Sequence, residues 1–481
     1  MPDAPKNVCT EIVARDLCIG CGTCAGVCPA ANLSMHLHPY GQLSPQDAGD
    51  CRAGCELCLR ACPFSDQPND EDTLAREAFS DVPGIRHRPE TGYYLDTVLG
   101  YSRVSGQREG GASGGLTTWV LESLLAEGQI DAAVCVVPDR TGGRWFRFAV
   151  VRSADEIRAG ARSCYGPVEW SEALREILSR EGRYAVTALP CYAKALRRAM
   201  QVLPRLRRRL HFILGLVCGQ YKSRFFTEYL CAFGGGDPNY MEEVTYRIKD
   251  PRYPPQDDGT RCVSRLGGMA RHEVVVHPSA LPTRLWGDRA FTPRPCCFCD
   301  DIFAECADAT FMDAWLEPYA SDPRGHNLAL VRRPELGALL RRGAARGDVW
   351  IRDVGIADII QSQAGVVGSK RGRIRAWMSL ARAAGEAVPR KREHLLQKGW
   401  MPFWTKAAAG AVYRILQESR RRWPESAKSP ARYDALMAPL VKRAVRWQRI
   451  RVALAQPWAV PSAVLRRLRS RMSRAPEEGG R

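Results

Sequence analysis

Two crowded runs of cysteine between residues 18 and 62 limit what this chain can fold into more than any other feature. The first is Cys18-x2-Cys21-x2-Cys24-x3-Cys28-Pro29; the second is Cys51-x3-Cys55-x2-Cys58-x3-Cys62-Pro63. Gaps of two residues let a loop wrap one face of a polynuclear centre, and a cubane needs four thiolates converging on a small volume. Gly20, Gly22 and Gly26 are expected to supply the positive-φ backbone of such a wrap, and Pro29 and Pro63 to stiffen the chain leaving each run. Between the runs Leu33, Met35 and Leu37, a Pro39–Gly41 turn and Leu43 alternate as a small hairpin. A zinc module would show paired Cys-x2-Cys motifs rather than triplets.

Three closely spaced cysteines plus a fourth followed by proline is the spacing of bacterial two-cluster ferredoxins. There the fourth cysteine of each run ligates the other cluster. By that rule Cys18, Cys21, Cys24 and Cys62 hold one 4Fe-4S cluster, and Cys51, Cys55, Cys58 and Cys28 hold the second. The extra residue between Cys51 and Cys55 departs from the usual spacing and makes Cys51 the weakest assignment.

The chain has 481 residues, enough for two or three domains. Its 19 cysteines, with no signal-peptide pattern and no apolar run near twenty residues, lead us to expect a reducing, cytoplasmic compartment. The net charge of +18 is unevenly spread. Residues 1–80 carry 5 Lys and Arg against 11 Asp and Glu, whereas residues 370–481 carry 27 against 7. The basic balance therefore belongs to the C-terminal end, and the overall charge is no argument for nucleic-acid binding by the rest.

Residues 64–92 are acidic and proline-punctuated and read as a linker. Alternating helices and strands follow, which favours a largely parallel or mixed sheet covered by helices. Residues 107–118, QREGGASGGLTT, form a glycine-rich turn entering a helix. Backbone amides at Gly111–Gly115 with the Ser113 hydroxyl suit a pyrophosphate, although a plain glycine turn explains the same residues. Apolar strands then end at Pro190-Cys191 and at Cys218-Gly219, where ligands collect in open α/β sheets. With the Cys296/Cys299 pair on a proline-flanked loop, Cys191 and Cys218 make four ligands for a third cluster. Ordinary buried thiols are the alternative reading.

From about 90 to 335 the chain resembles the family of coenzyme F-420 hydrogenase/dehydrogenase beta subunits. The matching stretches, in order, are EGGASGGLTTWVL (109–121), RSCYGP (162–167), ALPCYAKALR (188–197), LGLVCG (214–219), VTYRIKD (244–250), CCFCDDIFAECADATFMDAW (296–315) and GHNLALVRRPELG (325–337). The resemblance implies an FAD-containing iron–sulfur oxidoreductase that passes electrons between clusters and FAD. It also implies hydride exchange with a substrate such as coenzyme F-420 or a small organic acceptor. Carried over by position, Gly111, Ser113, Gly114, Gly115 and Thr117 hold FAD, and Cys191, Cys218, Cys296 and Cys299 hold the third 4Fe-4S cluster. Lys249 is the basic catalytic position near flavin or substrate. Cys164 and Asn327 depart from the family pattern. A non-catalytic subunit relaying electrons to a partner enzyme is the alternative.

The C-terminal stretch after about 370 lies outside the resemblance. Residues 462–474, SAVLRRLRSRMSR, segregate Val464, Leu465, Leu468 and Met472 from five arginines, as a helix on an anionic membrane surface would. Trp400, Phe403, Trp404, Trp423, Trp447 and Trp458 are candidate interface anchors. Packing of these helices on the body, with the arginines solvated, is the competing expectation. No groove-reading motif points to specific nucleic-acid binding.

The sequence thus predicts an α+β ferredoxin-like module over 1–80, an α/β domain with a mixed sheet over 90–335, and a basic, mostly helical extension over 370–481. Its expected partners are a ferredoxin or hydrogenase/dehydrogenase-type subunit, or soluble deazaflavin, with peripheral membrane contact through the basic end.

Overall fold

The computed structural model describes residues 6–49, 51–52, 54–141, 143–392 and 400–455. Each cysteine run leads into a five-residue helix, Thr23–Val27 or Leu57–Ala61, and the last cysteine of the run caps it. Between them β1 (Leu33–Leu37) and β2 (Leu43–Asp47) form the expected antiparallel hairpin, closed where the Gly41 amide donates to His38 O at 2.8 Å. Gly20 and Gly22 take φ of 77° and 78°. Gly26 does not: it lies inside the first helix and is small because a Cβ there would meet the Leu174 side chain at 2.9 Å.

Residues 64–92 are more than the expected linker. Asp70 caps a helix, Glu71–Phe79, accepting from the Thr73 amide at 3.0 Å. Leu74, Ala75 and Phe79 bury its inner face. A short hairpin follows, β3 (Arg86–Arg88) with β4 (Gly92–Tyr94).

The body is built on an eight-stranded mixed sheet. Its strands are β5 (Asp96–Ser102), β6 (Ala132–Pro138), β7 (Phe146–Val151), β8 (Tyr184–Ala188) and β9 (Leu210–Leu216), then, after a separate three-stranded sheet, β13 (Ala309–Asp313), β14 (Asn327–Val331) and β15 (Val349–Asp353). The order is β15-β5-β14-β13-β9-β8-β6-β7. The central four, β13, β9, β8 and β6, run parallel, and their buried alanines, valines and leucines are what a sheet covered on both faces requires. Antiparallel strands flank them on both sides. The separate sheet pairs β10 (Met241–Ile248), β11 (Gly259–Leu266) and β12 (Ala270–Val276).

Three long helices, Ala364–Ala383, Phe403–Glu425 and Pro430–Ala455, follow the body. Pro424 and Pro439 lie inside two of them rather than breaking them. Trp377 and Trp423 are fully buried, so Trp423 is a core residue and not an interface anchor. Trp400 is 81% exposed and Phe403 51%. One apolar core runs from Val8 and Ile12 through Trp170 and Tyr192 to Trp377 and Leu416, joining the cysteine-rich segment, the sheet and the C-terminal helices. No helix among the described residues is long and apolar enough to cross a membrane. The amphipathic stretch 462–474 and Trp458 lie outside the described residues.

Candidate redox site

Cys18, Cys21, Cys24 and Cys62 line a single small cavity of about 20 Å³, walled by Val8, Ile12, Ile19, Met35 and Phe64. These are the four thiols that the crossing rule groups, with Cys62 arriving from the second run. The Gly20 amide donates to Cys18 Sγ at 3.4 Å, and Cys21 Sγ lies 3.3 Å from Thr23 Oγ1. Trp170 holds that wall, donating from Nε1 to Thr23 Oγ1 at 2.8 Å and from its amide to Cys21 O at 3.2 Å. Burial, then the Cys21 charge, pushes the Cys62 thiol up to about 12, against the pull of Arg198. Four thiols that resist ionisation in an apolar cavity need a cationic centre to become thiolates. The donor set fits an iron–sulfur cluster.

The second group is nearer the surface. Burial and the Asp47 carboxylate raise the Cys51 thiol, with smaller effects from Cys55 and Cys28. Cys58 is raised by burial and by Cys51 and Cys55. Cys28, Cys55 and Cys58, assigned to this group by spacing, therefore lie within electrostatic reach of Cys51. Sequence spacing missed Cys9, a fifth thiol here, which is pushed up to about 11 by burial, Asp47, Cys58 and Cys51.

The third group forms at the carboxyl ends of the parallel strands. Cys191 opens helix Pro190–Val202 after β8, Cys218 follows β9, and Cys296 and Cys299 come from a 3-10 turn at Arg294–Phe298. Burial raises Cys191 well above its ordinary value, and the charges of Cys299, Cys218 and Cys296 all add to it. The Tyr221 amide donates to Cys296 Sγ at 3.4 Å.

Two buried cations that the sequence did not single out attend this group. Lys370, 2% exposed, donates to Cys299 Sγ at 3.3 Å, Cys218 O at 3.1 Å and Asp301 O at 2.7 Å, which uses all three of its protons. Arg289 reaches Gly219 O at 3.4 Å, while its Nε and Nη1 are buried without partners. A buried cation without a carboxylate partner is costly. Four thiolates around a metal centre supply the missing negative charge, so this donor set also fits a cluster. No three His, Cys, Asp or Glu side chains among the described residues close on a single-ion site. Cys306, by contrast, faces Asp301, Glu71, Arg197 and Lys194.

The loop carrying Cys296 and Cys299 is clamped by the C-terminal segment. Arg392, 1% exposed, binds Asp300 at 2.5 Å, Asp72 at 2.7 Å and Glu305 at 2.8 Å. Lys391 also pairs with Asp300, and Arg371 with Glu305 at 3.0 Å. Burial alone would raise the Asp300 carboxyl, but Arg392 and Lys391 hold it well below the usual carboxylate range. Arg371, Lys391 and Arg392 thus serve internal pairing rather than a solvated face.

The glycine-rich loop follows β5. Ser113 Oγ donates to His326 O at 2.7 Å, and Asn327 Oδ1 accepts from the Leu116 amide at 3.0 Å, capping helix Leu116–Ala126. A Cβ on Gly114 would meet Asn327 N at 2.8 Å and Gly100 O at 2.9 Å. The chain's own backbone therefore explains that glycine and the departure at Asn327. Lys249 Nζ sits on three carbonyls, Arg108 at 2.5 Å, Ser113 at 2.7 Å and Arg324 at 2.7 Å. Burial, then Arg108, Arg247 and Arg162, lowers it to about 8 against the pull of Asp258. Arg247 donates to Ala112 O at 3.0 Å and pairs with Asp258 at 2.8 Å. Arg162 donates to Arg247 O at 3.2 Å. Both arginines hold positive φ, 101° at Arg162 and 57° at Arg247, a strain of the kind that collects at ligand sites. Asp258, Asp313 and Asp322 offset three of the four cations around this loop of small residues, Lys249, Arg247, Arg162 and Arg108, and the positive charge left over suits a phosphate; on that ground the residues present fit FAD. The family resemblance pointed to Lys249 in RIKD and overlooked Arg247, two residues earlier.

Residues 97–175 and 181–355 match the N-terminal and C-terminal profiles described as coenzyme F420 hydrogenase/dehydrogenase, beta subunit. The chain belongs to this family. Residues 11–33 match a 4Fe-4S binding domain, so this hydrogenase/dehydrogenase beta-type chain carries an iron–sulfur module. It is 25% identical over 216 residues to a subunit of the F-420H2 dehydrogenase of Methanosarcina mazei, covering 43% of this chain and 55% of the relative. It is 31% identical over 198 residues to coenzyme F-420-dependent sulfite reductase of Methanocaldococcus jannaschii, covering 40% and 27%. The chain thus spans about half the length of one relative and a quarter of the other. A chain in a xenon-derivatised structure of the F-420-reducing NiFe hydrogenase complex from Methanosarcina barkeri superposes with a TM-score of 0.44 at 16% identity, covering 60% of this chain and 93% of that one.

Proposed function

We propose that this family member is an FAD- and iron–sulfur-dependent oxidoreductase with two ferredoxin-type 4Fe-4S clusters, a third cluster held by Cys191, Cys218, Cys296 and Cys299, and FAD on the glycine-rich loop. The observation that carries this reading is the convergence of four thiols from three distant segments beside Lys370 and Arg289, neither of which has an ion-pair partner among the described residues. Bound FAD would supply the exchange between one-electron carriers and a two-electron hydride acceptor such as coenzyme F-420 or a small organic molecule.

The residues of the chain set order and charge. Cys24 lies within electrostatic reach of Cys58, and Cys21 within reach of Cys191, so the thiol groups follow one another as second, first, third. The apolar walls around the first group limit the access of water, one of the levers on a cluster's potential. Lys249, Arg247 and Arg162 place positive charge at the loop, and Gly111, Ser113, Gly115 and Thr117 shape the approach to it. Lys249, seated on three carbonyls, positions the loop and supplies charge; this is the role we assign to it. A subunit that only relays electrons is the second reading, favoured by the description of the M. mazei relative as one subunit of a dehydrogenase.

Anaerobic purification with iron, acid-labile sulfide and flavin quantification tests the proposal. About twelve irons, at four per cubane, with one FAD per chain is the expected result. Tightly bound zinc without labile sulfide refutes the iron–sulfur reading, and reduction of a soluble acceptor by the isolated chain separates the enzyme from the relay.

A further inference from the structure

A cavity in the C-terminal region lies outside the family match, between helix Ala364–Ala383 and the two helices that follow it. It has a volume of about 320 Å³ and is lined by Gly365, Gly368, Ser369, Gly372, Arg373, Thr405, Gln448 and Arg451, with three alanines. Gly365, Gly368 and Gly372 are exposed, and a Cβ on any of them would meet nothing within 4 Å, so the cavity opens to solvent on this side.

The charge around this cavity is unbalanced. Arg373 Nη1 is buried without a hydrogen-bond partner, and Arg289 leaves two more buried nitrogens unpaired. Arg289, 2% exposed, reaches Ser369 Oγ on the cavity wall at 3.4 Å. Arg451 makes one long bond, 3.4 Å, to Gln448. Burial, then Arg289 and Arg451, lowers Arg373 to about 10, with Asp288 as the opposing acid. Arg373 and Arg451, both on the cavity wall and within electrostatic range of each other, with a buried Arg373 N–H donor left over, are arranged for an anion that is not part of the chain.

We propose that this cavity binds the carboxylate or phosphate group of a small organic anion. Arg373 and Arg451 would supply the charge-assisted donors, and Ser369, Thr405 and Gln448 the neutral ones. Ser369 immediately precedes Lys370, whose ammonium touches Cys299 Sγ, so a bound anion would lie beside the third thiol group. The proposal does not depend on the flavin or cluster assignments, because its test reads binding alone.

Isothermal titration of the full chain with citrate and with inorganic pyrophosphate, at low ionic strength, tests it. One-to-one saturable binding of at least one probe is expected, weakened at least tenfold by Arg373→Gln and by Arg451→Gln. Gly368→Leu fills the cavity without removing charge and should weaken binding equally. Its circular dichroism and melting profile, compared with wild type, show whether the helices remain packed. Two results overturn the proposal: no saturable binding of either probe, or binding that survives all three substitutions and is lost in Lys249→Met, which places the anion at the glycine-rich loop.

Discussion

Arg392→Met tests whether the C-terminal segment secures the cysteine loop at 296–299. Arg392 is buried and contacts Asp300, Glu305 and Asp72. Removing one partner of a buried pair costs ~3–5 kcal/mol, because the other charge is left uncompensated. Here Asp300 keeps Lys391 and Glu305 keeps Arg371, which places the loss at the lower end, about 3 kcal/mol. At about 1.4 kcal/mol per tenfold, that makes local opening of the loop roughly a hundred times more frequent. Hydrogen exchange followed by mass spectrometry over residues 294–306 reads this directly, since exchange from the open form tracks its population. Methionine keeps much of the aliphatic volume, so the charge is the main loss. Arg422→Met, which removes a partly exposed pair with Glu418 and Glu425, is the control and should cost under about 1 kcal/mol. Exchange over 294–306 within threefold of wild type would refute the clamp.

Three other outcomes are expected. Cys→Ser at 191, 218, 296 or 299 should each remove or destabilise about four irons per chain, while Cys306→Ser leaves the iron count unchanged; unaltered iron in Cys191→Ser sinks the third cluster. Lys370→Met should lower the midpoint potential of that cluster, measured by EPR-monitored titration, by about 59 mV or more, a tenfold change in the one-electron equilibrium, because the charge-assisted bond to Cys299 favours the reduced, more negative state; an unchanged potential with full iron content contradicts this. Flavin retention should fall as pH rises through about 8, where Lys249 loses its proton, by up to tenfold per pH unit, and Lys249→Met should abolish the dependence. The stability of the flavin-free protein moves oppositely: between the ordinary 10.5 and about 8, lowering the pH protonates the unfolded chain first and destabilises the fold.

The cysteine spacing by itself pointed to the first thiol group: Cys18, Cys21 and Cys24 because loop-wrapping ligands are local and their geometry is written in two-residue gaps, and Cys62 because the two runs share the crossing pattern of two-cluster ferredoxins. The hairpin between the runs, the strands ending at Cys191 and Cys218, the mixed sheet and the helical C-terminal region were legible for the same reason: periodicity and turn residues act over short range. Tertiary structure decided what depends on distant partners. The linker at 64–92 became a helix because the body offers Leu74 and Phe79 a face to pack against. Gly26 and Gly114 are small because Leu174, Asn327 and Gly100 come close, and none of these is near in sequence. Lys370, Arg289 and Arg392 read as members of a basic composition until folding buries them against thiols and carboxylates. A charge has no sequence signature for its partner; only the packed structure decides whether it meets water, an acid or a metal site.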